Sequence, residues 1–367
     1  KLRLAFIALE EMSLLPAAPR LARRLLQMAA GYGESSHSRR VLQLPQEQLA
    51  SMLSLSRQTT NQILKALEQD GVILRSSDRG ATFQRTPLPF KFGGNEQGRG
   101  NGERLAVDPN DGRVLLFGTR ADGLWRSDDA GASWREVQGF PAIAKDRSAW
   151  AKGWRELRPV GIAFVAFDPA DSARGVPTKT VYAGVSTNET SLYRSRDGGT
   201  TWHPVPGQPV GLRPSHMVRD ARGRWLLSYG DEPGPNNMAD GAVWRFDPAG
   251  DRWEDITPVR RSKADAGFGW GAVAVQADNP DVIIASTFRR YQPHDDIYRS
   301  LDGGRTWTAL FPRSRFDHSP APWTADAKPH WMADIEIDPF DPDLKQRLEQ
   351  MEKQLREMEK KLQKLHG

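Results

Sequence analysis

A nine-residue motif that recurs along the chain constrains its fold more than any other sequence feature. The motif reads Arg-Ser-x-Asp-x-Gly-x-Ser/Thr-aromatic, and its copies are RSSDRGATF (75–83), RSDDAGASW (126–134), RSRDGGTTW (194–202), RSLDGGRTW (299–307) and the degenerate RFDPAGDRW (245–253). Their central residues, Asp78, Asp129, Asp197, Asp247 and Asp302, lie 51, 68, 50 and 55 residues apart. Each interval has the length of one propeller blade with its loops, so the repeat predicts a β-propeller.

Each copy is expected to form the tight turn between two antiparallel strands. The Asp carboxylate can accept backbone N–H groups across the turn, the Gly takes a positive φ, and the aromatic residue packs between neighbouring sheets. The alternative, that these aspartates bind calcium or act as catalytic acids, is less favoured because one residue repeated in every unit is better explained by folding.

Three compositions follow one another and predict three modules. Residues 1–72 carry apolar residues at three- and four-residue steps, which predicts an all-α segment. Residues 73–343 have short apolar runs split by Gly, Pro, Asp and Asn, which predicts an all-β segment. Residues 344–367 consist almost wholly of helix formers. We therefore expect a multi-domain chain: a helix-turn-helix segment, a partial propeller of about four to five Asp-box blades, and a C-terminal coiled-coil helix.

The stretch LPQEQLASMLSLSRQTTNQILKALEQDGVI (44–73) resembles the helix-turn-helix end of the cyclic-AMP receptor and fumarate-nitrate regulator transcription factors. Ser56 is a good N-cap for the second helix. One face of that helix carries the candidate DNA-binding residues Arg57, Gln58, Asn61, Gln62 and Lys65. These side chains suit base edges and phosphates, although the same pattern fits a solvated face of an ordinary helix. The effector domain of that family has no counterpart here, so we expect no cyclic-nucleotide site.

The propeller segment from about residue 73 to 342 resembles the xyloglucan-hydrolysing endoglucanases of glycoside hydrolase family 74. Long loops correspond as well as Asp boxes, among them TPLPFKFGGNEQGRGNGERLAVDPND (86–111), DEPGPNNMADGAVWRF (231–246) and WMADIEIDPFDP (331–342). The resemblance implies two tandem propellers with a glucan cleft between them and two catalytic aspartates. Neither aspartate has a matching position in this chain, so we assign no catalytic residue and expect no xyloglucanase activity; the alternative is a fragment that retains some endo-β-1,4-glucanase activity.

Glycan binding is the role that such a fragment would keep. The candidate glycan-binding residues are Asn95, Glu96, Arg99, Trp150, Trp270, Tyr291, Asp295 and Trp323. Aromatic faces stack on sugar rings, but for each aromatic residue packing within a blade is the competing interpretation.

The C-terminal tail, residues 344–367, repeats apolar residues at alternating steps of four and three. These are Leu344, Leu348, Met351, Leu355, Met358, Leu362 and Leu365. The pattern predicts a three-heptad coiled coil that could form a homodimer, and the N-terminal helix is a second candidate for dimerisation. The alternative is an amphipathic helix that lies on its own protein.

The hairpin DGVILRSSDRGATF (70–83) has two interpretations. Its position after the predicted recognition helix is that of the β-hairpin wing in a winged helix. Its residue spacing, however, is that of an Asp-box hairpin. We interpret it as an Asp-box hairpin, with residues 71–73 as the junction. Four full blades are then expected between about residues 99 and 312, and the trailing WMADIEIDP is expected to pair with this hairpin as a composite fifth blade.

Composition excludes several classes of site. The chain has no Cys, so thiolate metal sites and disulfides are excluded, and its seven His show no metal-binding spacing; no cofactor or metal is expected. The net charge of +5 arises from basic excess at the two ends, which favours duplex DNA as a partner of the first segment. No signal peptide or membrane span is predicted, so we expect a soluble protein. The abutting modules predict an engineered or spliced chimera without intact native activity.

Overall fold

The protein was analysed in a computed structural model. It describes residues 34–36, 39–41, 72–75, 84–90, 98, 100–145, 161–235, 237–260, 267–290, 294–311 and 332–337. The five candidate DNA-binding residues, the C-terminal tail and six of the eight candidate glycan-binding residues lie outside these ranges.

Two short antiparallel hairpins come first in the chain. Strands β1 (Glu34–Ser36) and β2 (Arg39–Val41) pair with each other, and so do β3 (Val72–Arg75) and β4 (Gln84–Pro87). The first hairpin corrects the prediction that residues 1–71 are helical throughout. Its sequence ESSHSRRV has no apolar residue before the final Val, so it lacks the spacing that predicts helices on either side.

Four antiparallel sheets of four strands each follow, with consecutive strands as neighbours. Blade 1 consists of β5 to β8: Leu105–Val107, Leu115–Gly118, Leu124–Ser127 and Arg135–Glu136. Blade 2 consists of β9 to β12: Ile162–Phe167, Val181–Val185, Leu192–Ser195 and His203–Pro204. Blade 3 consists of β13 to β16: Arg213–Arg219, Trp225–Gly230, Gly241–Asp247 and Arg252–Asp255. Blade 4 consists of β17 to β20: Gly269–Val275, Ile283–Phe288, Ile297–Ser300 and Thr308–Ala309. The all-β propeller prediction for this segment is confirmed.

The apolar cores lie between blades. Strands β10 and β14 are buried along their whole length, because both of their faces meet other blades. One cluster joins blades 1 and 2 around Leu116 and Phe167, a second joins blades 2 and 3 around Tyr182 and Phe246, and a third joins blades 3 and 4 around Trp270. Two 3₁₀ turns, Ala142–Lys145 and Pro169–Asp171, lie in the connections.

The Asp-box hairpins share one register. The motif arginine pairs with the residue nine positions later in every copy: Arg75 with Gln84, Arg126 with Arg135, Arg194 with His203, Arg245 with Glu254, and Arg299 with Thr308. The degenerate copy in blade 3 keeps this register although its Ser, Asp and Ser/Thr positions hold Phe246, Pro248 and Arg252. The hairpin β3–β4 therefore has the geometry of the two outer strands of a blade.

The motif arginine also reaches the turn of the next blade. Arg75 Nη1 donates to the Ala130 carbonyl at 3.3 Å, and Arg126 Nη1 donates to the carbonyl of Gly198. Arg245 Nη1 donates to the Gly303 carbonyl at 2.7 Å. In blade 2 the same position, Arg194, binds the carboxylate of Asp251 in the blade 3 turn. These contacts link each blade to its successor.

The described residues do not form the predicted composite fifth blade. Strands β3 and β4 make a sheet of their own, beside blade 1. Residues 332–337 form no strand, and the carbonyl of Met332 accepts a hydrogen bond from Ser286 Oγ of blade 4 at 2.9 Å.

Candidate functional site: a cluster of loops on one face

The connections between second and third strands lie at the edge of each blade opposite the Asp-box turns, because successive strands are antiparallel. The segments that lead into the first strands reach the same edge. We use the name top-loop cluster for three groups of residues there: 98 and 100–104, 231–235 and 237–240, and 287–290 and 294–296.

Backbone contacts join the three groups. The N–H of Gly98 donates to the carbonyl of Gly234 at 2.6 Å. Arg289 Nη1 donates to the Met238 carbonyl at 2.7 Å, which ties the blade 4 loop to the blade 3 loop. The Arg289 backbone has φ 72°, a conformation that is uncommon for residues other than Gly. Loops from blades 1, 3 and 4 thus form one connected surface.

Buried polar groups support the loop that leads into blade 1. Arg104 lies beneath it and donates to the carbonyls of Ile162 at 2.7 Å and Gly98 at 2.9 Å. Asn101 is 7% exposed, and neither its side-chain oxygen nor its side-chain nitrogen has a hydrogen-bond partner. Buried amides are normally paired, so Asn101 marks a polar position that water or a ligand could fill.

His216 ties this loop to the trailing segment. Its Nε2 donates to the Gly100 carbonyl at 2.9 Å. Burial lowers the pKa of His216, and hydrogen bonds to the Gly100 and Ala333 backbones together with the Asp334 charge oppose that shift. The neutral ring acts as a positioning group between two backbone segments that are far apart in sequence.

Two candidate glycan-binding residues lie in described ranges, and both are fully buried. Trp270 packs edge-on against Phe268 and Tyr298 in the core between blades 3 and 4. Asp295 accepts hydrogen bonds from Thr287 Oγ1 at 2.9 Å and from the Arg290 N–H at 2.8 Å. Trp270 therefore presents no ring face to a sugar, as expected for an aromatic residue that packs in the propeller core. Asp295 shapes the loop of blade 4.

The other six candidates, Asn95, Glu96, Arg99, Trp150, Tyr291 and Trp323, lie outside the described residues. Arg99 stands between Gly98 and Gly100 in sequence, and Tyr291 follows Arg290, so both adjoin the top-loop cluster. Asn101 and His216 were not among the candidates. A Gly-Asn-Gly sequence and a lone His in the strand Arg213–Arg219 were the only signals for them.

The Asp-box carboxylates hold their turns together. Asp197 accepts hydrogen bonds from Ser195 Oγ, the Thr200 and Thr201 N–H groups and Thr201 Oγ1 at 2.6 to 3.0 Å. Although desolvation opposes the shift, these bonds lower the pKa of Asp197 to about 2. Hydrogen bonds from Ser133 lead the same shift at Asp129, also to about 2. Such carboxylates stay ionised and occupied, which supports the folding role over the catalytic one.

Metal and membrane sites were also sought in the described ranges. No group of three or more His, Asp and Glu side chains there is arranged to hold a metal ion. No helix in the same residues is long and apolar enough to cross a membrane.

Comparison with known proteins identifies both ancestries. Residues 19–84 match the Crp-like helix-turn-helix domain, and residues 193–204 match the BNR/Asp-box repeat. A GH74 xyloglucanase structure from Xanthomonas campestris is 55% identical, with a TM-score of 0.68, over 74% of this chain and 38% of its own. The propeller is homologous to GH74 xyloglucanases. The Niastella koreensis GH74 enzyme aligns over the same shares of the two chains at 32% identity and a TM-score of 0.61.

Curated relatives give the same result. Xyloglucanase Xgh74A from Acetivibrio thermocellus is 43% identical over 299 residues, and a xyloglucanase from Hypocrea jecorina is 39% identical over 269. This chain spans about a third of the length of these relatives: 35% and 32%. The Crp-like match ends at residue 84, inside the hairpin that has the Asp-box register.

Proposed function

We propose that the propeller binds xyloglucan-type β-glucan at the top-loop cluster and does not hydrolyse it. The observation that carries this proposal is the similarity to the Xanthomonas campestris GH74 xyloglucanase, which is 55% identical over 74% of this chain. Loops on a rigid scaffold are the usual location of binding residues. The contacts between Gly98 and Gly234 and between Arg289 and Met238 give this surface such a scaffold.

The sugar contacts are assigned to the six candidate residues that lie outside the described ranges. Arg99 and Tyr291 adjoin the top-loop cluster in sequence, and Asn95, Glu96, Trp150 and Trp323 complete the set. Tyr and Trp rings provide the stacking surface, while the amide and charged groups bind hydroxyls. Trp270 and Asp295 contribute from below, by holding the loops in place.

The absence of hydrolysis rests on the chemistry of the carboxyl groups. Glycoside hydrolysis needs a carboxylic acid with a raised pKa opposite a second carboxylate. The two family aspartates have no matching position in this sequence. The seven described carboxyl groups whose pKa clearly departs from its usual value all have it lowered, namely Asp111, Asp128, Asp129, Asp197, Asp247, Asp281 and Asp302.

Affinity electrophoresis in gels with and without xyloglucan tests binding. We expect retardation of the full chain, weaker retardation of Tyr291→Ala, and unchanged retardation of His203→Ala, which alters an exposed residue beside an Asp-box turn at the opposite edge. Equal mobility of the full chain with and without xyloglucan contradicts the binding proposal. A reducing-end assay tests the second half of the proposal, which release of reducing sugar would overturn.

A second function is favoured by the Crp-like match at residues 19–84. We propose that the helix-turn-helix segment binds duplex DNA through Arg57, Gln58, Asn61, Gln62 and Lys65. Two-fold DNA recognition needs a dimer, and we assign its formation to the N-terminal helix. Fluorescence anisotropy with labelled duplex should give binding that weakens as salt rises, because phosphate contacts release counterions. Arg57→Ala should weaken it and the charge-matched Arg174→Ala, on an exposed blade 2 loop, should not; binding that is equal in both variants contradicts the assignment.

We also propose that the chain is an engineered or spliced chimera without intact native activity. The Crp-like match ends at residue 84, inside a hairpin that has the Asp-box register, and the chain also matches xyloglucanases over 74% of its length. Amplification of the junction from source genomic DNA tests this: an uninterrupted natural reading frame across residues 60–100 would refute it.

A further inference from the structure

The outward face of blade 4 is equivalent to a face that is buried elsewhere in the propeller. In blade 3 the face toward blade 4 includes Leu226 and Val243, both 0% exposed, and Ile256 at 4%. Strand register identifies their equivalents in blade 4. Leu226 and Ile284 are equivalent because each pairs with the motif arginine of its blade. Val243 and Ile297 are equivalent because each pairs with a serine of the second strand. Ile256 and Leu310 are equivalent because the N–H of Ile256 donates to the Val243 carbonyl and that of Leu310 to the Ile297 carbonyl.

The equivalent side chains in blade 4 are less covered. Ile284, Ile297 and Leu310 are only half-buried. Arg299, at the motif position where Arg245 is 9% exposed, is exposed. Because the described residues include no fifth blade, the sheet face that would meet one is left open among them.

The inner end of this face is already occupied by the trailing segment. Ser286 Oγ donates to the Met332 carbonyl at 2.9 Å, just as Ser228 Oγ of blade 3 donates to the Gly271 carbonyl at 3.0 Å. Met332 therefore stands where the inner strand of a next blade would begin. Six residues, 338–343, follow Ile337 in the sequence and lead to the C-terminal tail.

We infer that the C-terminal tail, residues 344–367, docks its apolar seam on the outward face of blade 4. Six residues separate Ile337 from Leu344, and they can span up to about 20 Å. A helix of the length of the tail extends about 35 Å, enough to cross a blade from its inner to its outer strand. An apolar stripe and an apolar sheet face are both stabilised when they cover each other.

Position and length favour this occupant over other segments. The tail begins six residues after Ile337 and carries the repeated apolar seam. Three heptads are marginal as a coiled coil on their own, so a preformed apolar face in the same chain competes well with a second tail. The segment 312–331 is rich in Pro and charged residues and has no apolar periodicity.

Thiol labelling in the full chain tests docking, because the chain has no Cys. Ile297→Cys introduces one thiol on the face. We expect its maleimide reaction to be at least about fivefold slower than in the same chain that also carries Leu355→Lys and Met358→Lys in the seam. The matched control places Lys353→Ala and Lys360→Ala on the opposite side of the tail and should leave the reaction slow.

Light scattering and circular dichroism accompany the labelling, so that mass and propeller folding are known for each variant. Docking predicts that the seam substitutions speed labelling without a change in mass. Equal labelling rates in the seam variant and its parent overturn the proposal. Seam substitutions that change a dimer into a monomer without changing the labelling rate overturn it too, and assign the tail to a coiled coil between copies.

Discussion

Removal of the guanidinium of Arg245 should destabilise the propeller far more than removal of Arg299, although both residues occupy the same motif position. Arg245 is 9% exposed and donates to the Gly303 carbonyl of blade 4 at 2.7 Å. It also binds Glu254, whose side chain is 59% exposed. Arg299 is exposed. Comparison of the Arg245 and Arg299 variants therefore separates the effect of the contact between blades on stability from the effect of the motif within each hairpin.

The magnitude follows from these two contacts. A charge-assisted hydrogen bond whose loss leaves a buried carbonyl unpaired contributes about 1.5 to 3 kcal/mol. The pair with the exposed Glu254 adds no more than about 1 kcal/mol. Arg245→Ala should thus lower the free energy of unfolding by about 2 to 4 kcal/mol, and Arg299→Ala by less than about 0.5 kcal/mol. For a domain of this size the first loss corresponds to a fall in Tm of roughly 5 to 10 °C.

Urea unfolding followed by circular dichroism at strand wavelengths measures both variants, and Arg245→Lys serves as a third. Lys keeps the charge but lacks the fork that reaches the carbonyl and the carboxylate together, so it should fall between wild type and Arg245→Ala. Equal losses for Arg245→Ala and Arg299→Ala would refute the reasoning, because stability would then depend on the motif within each hairpin and not on the link to the next blade.

Three further outcomes can be measured on the same chain. Because the pKa of Asp197 is lowered on folding to about 2, its stabilising contribution is complete above about pH 4 and is lost as the pH falls through 2; urea midpoints of wild type should fall in that window, and those of Asp197→Asn should fall less. Gly304→Ala places a Cβ 3.0 Å from a side chain at φ 88° and should cost about 1 to 3 kcal/mol, whereas Gly112→Ala meets no atom within 4 Å and should be near neutral in the same titration; equal midpoints would contradict this. His216→Leu removes the hydrogen bond to the Gly100 carbonyl and should raise amide exchange at residues 100–104 by mass spectrometry, while unchanged exchange would show that the ring does not hold the loop.

The Asp-box hairpins could be predicted because their information is local. Nine residues contain the carboxylate, the donors it binds and the glycine that turns the chain, so even the degenerate copy at Arg245 keeps its register. The same reasoning identified β3–β4 as an Asp-box hairpin, although its position after the predicted recognition helix is also that of the wing in a winged helix. Its register and the contact from Arg75 to Ala130 agree with the Asp-box interpretation.

Contacts between distant segments were beyond such reasoning. Among the described residues the predicted composite fifth blade was wrong: residues 332–337 form no strand with β3–β4, and Met332 accepts a hydrogen bond from Ser286 of blade 4. Trp270 resembles a binding aromatic in sequence, yet its place at the start of an inner strand buries it between two blades. His216 was missed since its partner, Gly100, lies 116 residues away and no spacing connects the two.

The arginine contacts between blades run in one direction, from Arg75 to Ala130 and onward to Gly303, always toward the following turn. A contact of this kind is heterologous: it joins two different surfaces, so an arc of blades has two ends that are not alike. Copies that met through such ends would follow one another head to tail, and would form a filament wherever the rotation failed to close a ring. A tail docked on the blade 4 face would therefore prevent such head-to-tail assembly. The seam variants that expose this face are the ones in which filaments that lengthen with protein concentration should be sought.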